Sequence, residues 1–131
     1  MTHRSTLTVL SLTGILLVSL HFSDDIVRGM EPGDLSTLGG VLILAVWSYA
    51  TLVLAGRPLG LVIILLGSLG AAAIPVIHMG GAGLVGGRVA NSSGIFFWVW
   101  TLVALGVTGI VTAILSAHEL WARRRRGSPN S

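Results

Sequence analysis

The chain has no cysteine, which excludes disulfides and thiolate metal sites. Lysine is also missing, and all eight basic residues are arginine. The glycine-rich run 80–93 therefore lacks the lysine of a phosphate-binding loop. It also follows a long apolar segment rather than a strand. Charge of either sign is scarce, at 10% of residues against 53% hydrophobic, where a soluble domain carries about 25% charged residues. A soluble core built from a chain this short buries only about two-thirds of its unfolded surface. Water is therefore the wrong solvent for this composition, and lipid is the right one. No stretch alternates apolar and polar residues with period two, which argues against a membrane barrel. The sequence pI near 11.2 comes mainly from one terminal cluster, Arg123 to Arg126, so it points to a membrane surface rather than to nucleic acid.

What is present in abundance is apolar sequence in long runs. A helix needs about 20 apolar residues to cross a hydrocarbon core of roughly 30 Å. Four runs qualify: LTVLSLTGILLVSLHF (7–22), LGGVLILAVWSYATLVLAG (38–56), LGLVIILLGSLGAAAIPVIHM (59–79) and GIFFWVWTLVALGVTGIVTAILSAH (94–118). The expected fold is an all-α integral membrane protein, a single domain of four helices in an up-down bundle. The spans are expected at about 7–28, 36–56, 58–79 and 94–121, with an Arg-rich tail over 123–131. Asp34 or Ser36 suits the cap of the second helix, Pro58 the first turn of the third, and Ser92 or Ser93 the cap of the fourth. No A-x-A-like site follows the first run, so it reads as a span rather than a cleaved leader. Asn91-Ser92-Ser93 is a formal glycosylation sequon and is taken as chance.

Cytoplasmic loops favour arginine. With both termini inside, the inner face holds Arg4, Arg57, Arg123, Arg124, Arg125 and Arg126 against one acid, Glu119. The outer face then holds Arg28 and Arg88 against Asp24, Asp25, Glu31 and Asp34. Trp98 and Trp100 fall at the outer interface and Trp121 at the inner one. This arrangement is that of a bacterial inner-membrane protein.

The same topology gives a depth scale. Asp25 lies 21 positions beyond Arg4, and His78 lies 21 positions beyond Arg57. At 1.5 Å per residue both stand about 31 Å above the inner boundary, and His21 lies one turn deeper than Asp25. His21 and Asp25 are spaced i, i+4, as are Asp24 and Arg28. Ionisable groups at membrane depth are costly and usually face a bundle interior. His21, Asp24, Asp25 and His78 therefore form a candidate site. Its readings are a divalent metal such as zinc, copper or iron held by imidazole and carboxylate, a haem b with His21 and His78 as axial ligands, or a quinone, lipid or pigment pocket with His21 or His78 hydrogen-bonding a carbonyl and Trp98 or Trp100 stacking. His118 with Glu119 reads as a solvated helix end, and His3 carries little signal.

No nucleophile–base pair stands out, so enzymatic activity is not the favoured reading. Arg57 is the only charge between residues 38 and 77, which leaves a single chain without a charged path across the bilayer. The preferred functional reading is a small accessory subunit or scaffold of a larger membrane complex, or a homo-oligomer. Its lipid-facing sides would be the docking surface. A cofactor-binding protein using the outer His/Asp cluster is the alternative. Close helix packing is expected at Gly39, Gly40 and Ser48 of the second helix, at Gly60, Gly67, Ser68, Gly70 and Ala71 to Ala73 of the third and at Gly106 and Gly109 of the fourth, with Pro75 kinking the third helix.

Overall fold

Helix boundaries follow from local chemistry. The first helix ends where Gly29 takes a left-handed backbone, φ 69°. Its own N–H then bonds to the Ile26 carbonyl (3.0 Å) and the Met30 N–H to the Asp25 carbonyl (2.8 Å). That pair of bonds is a Schellman C-cap, which glycine enters without a Cβ penalty. Further along, the Asp34 carboxylate accepts from the Ser36 N–H at 2.8 Å and opens a single 3-10 turn, Leu35–Thr37. Hydrogen bonding to Ser36 holds this exposed carboxyl below the usual range for aspartate. Pro58 sits at the first position of the third helix, where its missing N–H costs nothing.

The computed structural model describes residues 3–82 and 93–127. Its elements are α1 (His3–Val27), α2 (Leu38–Leu52), α3 (Pro58–Ala82) and α4 (Ile95–Gly127), with no strand among the described residues. α2 closes at Leu52, short of the expected Gly56, because the chain must unwind through turns to re-enter at Pro58. α3 runs unbroken through Pro75. α4 begins after Gly94 (φ 75°). Of the two serines expected to cap it, Ser92 lies outside the described residues, as do Arg88 and Asn91.

Burial is inverted relative to a soluble protein. Ser11, Thr51, Ser68, Thr112 and Ser116 are buried, while Leu42, Ile43, Ile77, Val107 and Ile114 are more than half exposed. Buried hydroxyls bond back to the carbonyl four residues earlier, as at Ser68, Thr112 and Ser116. With polar groups satisfied inside and aliphatic groups outside, the surface is suited to lipid. Four helical segments are long and apolar enough to cross a membrane, at 25, 18, 21 and 32 residues. The chain is an integral membrane protein by these criteria.

Packing depends on small residues. A Cβ on Gly109 would stand 2.7 Å from the Ser68 carbonyl oxygen and 2.8 Å from the Ala72 nitrogen, so α3 and α4 touch backbone to backbone. Gly106 takes the Pro75 ring in the same way, at 2.8 Å. Trp47 of α2 is clamped between Gly14 of α1 (3.4 Å) and Gly67 of α3 (2.5 Å), both measured to the position of an added Cβ. A closed hydrogen-bond ring locks it there. The Trp47 indole N–H donates to Ser11 Oγ (2.9 Å), and the Ser11 hydroxyl donates to Thr51 Oγ1 (2.7 Å). Thr51 in turn donates to the Trp47 carbonyl (2.9 Å).

One end of the molecule gathers the start of α1, the α2–α3 link and the end of α4. There Arg123 donates to the Gly56 carbonyl (2.9 Å) and to Glu119 (2.9 Å), and Glu119 lies 3.8 Å from His3. The opposite end joins α1 to α4, where Arg28 donates to the Ser93 carbonyl at 3.1 Å.

Two forces fix Trp47, and their sizes differ. An overpacked core position costs about 1–3 kcal/mol, whereas a hydrogen bond between membrane helices averages about 0.6 kcal/mol. Gly67→Ala is therefore expected to lower unfolding stability in mild detergent by more than Ser11→Ala does. The opposite order would show that the hydrogen-bond ring, not the steric clamp, holds α2.

Candidate functional site

Two helices bring three ionisable side chains to a single point. His21 and Asp25 come from successive turns near the end of α1, and His78 from the far half of α3. All three meet beside Trp98 in the first turn of α4. His21 and Asp25 are buried, and His78 is 18% exposed at its side chain. The depth match between Arg4–Asp25 and Arg57–His78 is thus realised as contact. Asp25 Oδ2 lies 3.6 Å from His21 Nε2 and 3.4 Å from His78 Nε2. One ligand atom from each residue falls within 4.8 Å of the others.

Asp24 is not part of this group. Its carboxylate takes Arg28 Nε at 2.7 Å, on the neighbouring stripe of the same helix. Adjacent positions on a helix differ by about 100°, so only one of the two aspartates can face inward. The His21–Asp25 spacing selects the second. Trp100 also stays out of the site, with 59% of its surface exposed. His118 and Glu119 lie at the other end but not at a helix terminus, since α4 continues to Gly127 and Glu119 pairs with Arg123 one turn on.

The hydrogen bonds around the three residues assign their protons. Thr101 Oγ1 lies 3.0 Å from both the Phe97 and the Trp98 carbonyl oxygens, so its single proton is spent there. Its oxygen is then an acceptor for His21 Nδ1–H, at 3.1 Å. His78 Nδ1 lies 3.0 Å from the Ile74 carbonyl, which can only accept, so Nδ1 carries the proton here too. In both neutral rings the lone pair is left on Nε2. His21 Nε2 is buried and has no hydrogen-bond partner, since 3.6 Å to Asp25 exceeds hydrogen-bond length. On the other side of Asp25, Oδ1 accepts the Trp98 indole N–H at 2.8 Å.

With both rings neutral and Asp25 ionised, three electron pairs converge with no donor between them. A buried carboxylate facing two lone pairs is costly unless a cation sits among them. The surrounding contacts are also compatible with metal ligation, in which the second imidazole nitrogen donates to a carbonyl or hydroxyl and the carboxylate is itself held. The spacing fits as well. Ligand atoms at 2.0–2.1 Å from a tetrahedral ion are about 3.4 Å apart; the two distances to Asp25 are 3.4 and 3.6 Å, and all three ligand atoms lie within 4.8 Å of one another.

The other cofactors suit the geometry less well. A haem between two axial imidazoles needs a flat slot. Here the ring centroids are 5.1 Å apart, both nitrogens point at Asp25, and Trp98 lies within 5.5 Å of each ring. A quinone carbonyl needs an N–H donor, and both Nδ1–H groups are already committed.

Sequence reasoning missed two contributors, Thr101 and the donor role of Trp98. Their helix is separated from α3 by residues 83–92, so its rotation about its own axis is not set by any short link. No family model matches this chain, and no curated protein and no solved structure is significantly similar to it.

The proton assignment is open to direct measurement. Nitrogen-15 NMR of selectively labelled, metal-free protein at a pH where the rings are neutral is expected to show His21 and His78 as Nδ1–H tautomers. Nε2–H in both rings would contradict the convergent lone pairs.

Proposed function

We propose that this protein binds one divalent metal ion within the membrane domain, through His21 Nε2, His78 Nε2 and an Asp25 carboxylate oxygen. The observation that carries the reading is the unpartnered, buried His21 Nε2 aimed at a carboxylate that a second imidazole also faces. Two imidazoles and one carboxylate without sulfur match borderline ions, zinc, iron(II) and cobalt(II) among them. Trp98, Thr101 and the Ile74 carbonyl orient the three ligands. In this reading the helices run up and down, with the arginine end (Arg4, Arg57 and Arg123 to Arg126) in the cytoplasm of a bacterial cell. The metal site then lies at the outer boundary of the inner membrane.

Membership of a larger membrane assembly is the second reading and is compatible with the first. It is supported by α2, which meets α1 and α3 but not α4 among the described residues. Its outer face presents Leu42, Ile43, Val46, Tyr49 and Leu52, each more than half exposed. That face is available to a neighbouring helix or a second copy of the chain.

Equilibrium dialysis of purified protein against Zn²⁺ is expected to give one ion per chain. His21→Ala, Asp25→Asn and His78→Ala should each abolish stoichiometric loading, and Trp98→Phe should weaken it by about 10–100-fold, the usual size of an outer-shell loss. Asp24→Asn should have no effect. Loading that survives all three ligand substitutions would refute the site. Separately, reporter fusions are expected to place the C-terminus in the cytoplasm, and an external C-terminus would reverse the sidedness.

A further inference from the structure

The arginine-bearing end of the molecule gathers positive charge that its own residues leave largely unanswered. Arg4 lies in the first turn of α1, Arg57 directly precedes α3, and Arg123 stands near the end of α4. The three meet at the α2–α3 link. A Cβ on Gly56 would stand 3.0 Å from Arg4 Nη2, and Arg123 Nη1 donates to the Gly56 carbonyl at 2.9 Å. Arg57 is the next residue of the same link. The absent side chain at position 56 leaves the space that the Arg4 guanidinium occupies.

Glu119 is the one acid at this end. It is engaged by Arg123 at 2.9 Å and approached by His3 at 3.8 Å and Arg126 at 4.0 Å. The other four acids, Asp24, Asp25, Glu31 and Asp34, lie at or beyond the far end of α1. Among the described residues no carboxylate pairs with Arg4 or Arg57, and both side chains are exposed. Helix N-termini carry positive partial charge. Arg4 on α1 and Arg57 beside α3 therefore stand where a cation is disfavoured unless an anion comes near.

The level of the cluster is that of lipid headgroups. α4 has 33 residues, about 50 Å, against roughly 30 Å of hydrocarbon. Near its end Trp121 is half exposed and carries the Arg125 guanidinium 3.6 Å above its ring, an amphipathic pair suited to a membrane interface. Leu52 and Val53 at the end of α2 and Leu59 at the start of α3 are each more than half exposed. Apolar surface thus borders the arginines on both sides of the link.

We propose that Arg4, Arg57 and Arg123 form a binding site for the phosphate of an anionic membrane phospholipid, whose acyl chains lie against the exposed ends of α2 and α3. Guanidinium groups take phosphate oxygens in charge-assisted pairs, and basic pockets between membrane helices hold anionic headgroups in this way. A zwitterionic headgroup brings its own ammonium to the phosphate and gains less from the cluster. A soluble phosphate gains nothing from the apolar border. The site is independent of the metal cluster, which lies at the opposite end of the bundle.

The experiment reconstitutes the full-length chain in phosphatidylcholine vesicles. Electron paramagnetic resonance then reads how strongly spin-labelled phosphatidylglycerol and phosphatidylcholine are immobilised by the protein. The anionic lipid is expected to associate at least about fivefold more strongly, the size of one arginine contact near a membrane surface. Arg4→Gln combined with Arg57→Gln is expected to bring the two lipids to parity, whereas Arg124→Gln combined with Arg126→Gln leaves the preference in place. Both pairs remove the same charge from exposed side chains, so a difference reports position. Arg123 is kept because it also ties α4 to the link.

Equal association of the two lipids with the unaltered protein would overturn the proposal. A preference that survives in the Arg4/Arg57 variant, or falls equally in both variants, would assign it to the diffuse field of the arginine tail and overturn the site. Glycerol 1-phosphate in excess is expected to leave the lipid bound; displacement by it would move the ligand class to soluble phosphates and overturn the lipid assignment.

Discussion

The arrangement depends on one electrostatic constraint: a carboxylate withdrawn from water at the end of a lipid-facing bundle must be compensated by its neighbours. Asp25 is that carboxylate. It is held by an indole N–H from α4 and faced by imidazoles from α1 and α3, so three helices converge on it. Burial of Asp25 and His21 leaves little access for water to complete the compensation. The neighbours offer one proton donor and, as neutral rings, two lone pairs, which leaves three electron-rich atoms within 4.8 Å of one another.

The scaffold that presents this gap is built from absences of side chain. Gly109 and Gly106 let α4 approach α3 at backbone distance, which brings Trp98 and Thr101 into the site. Gly67 admits Trp47 between α1 and α3, holding these two helices apart lower down, where the apolar cavity opens. The same small residues that replace hydrophobic drive in a membrane thus decide both where the helices touch and where they part. Beyond them, the Schellman cap at Gly29 ends α1 one turn after Asp25 and lets Arg28 engage Asp24, keeping the second acid away from the cluster.

Much of this was legible in the residues. Apolar run lengths announce four helices, and equal spacings from arginine anchors place Asp25 and His78 at one level. The i, i+4 spacings pair His21 with Asp25 and Asp24 with Arg28, but the residues alone leave both aspartates in the candidate site, and the contact of Asp24 with Arg28 is what separates them. What could not be read is azimuth. Whether His21, one turn below Asp25, can still meet His78 depends on side-chain reach across the α1–α3 gap. Whether Trp98 or Trp100 faces inward depends on the rotation of α4, and their separation of two positions puts them about 160° apart on the helix. Thr101 carries no signal in the sequence, because threonine in a membrane helix ordinarily bonds its own backbone. Here it does so and accepts from His21 as well.

The central claim is that His21, His78 and Asp25 share a metal ion. X-ray absorption spectroscopy of the zinc-loaded protein addresses it most directly. The account predicts a first shell of nitrogen and oxygen at about 2.0–2.1 Å with the outer-shell scattering of two imidazoles. A shell of oxygen atoms alone, or two-imidazole scattering that persists when His21 and His78 are both replaced, would contradict it.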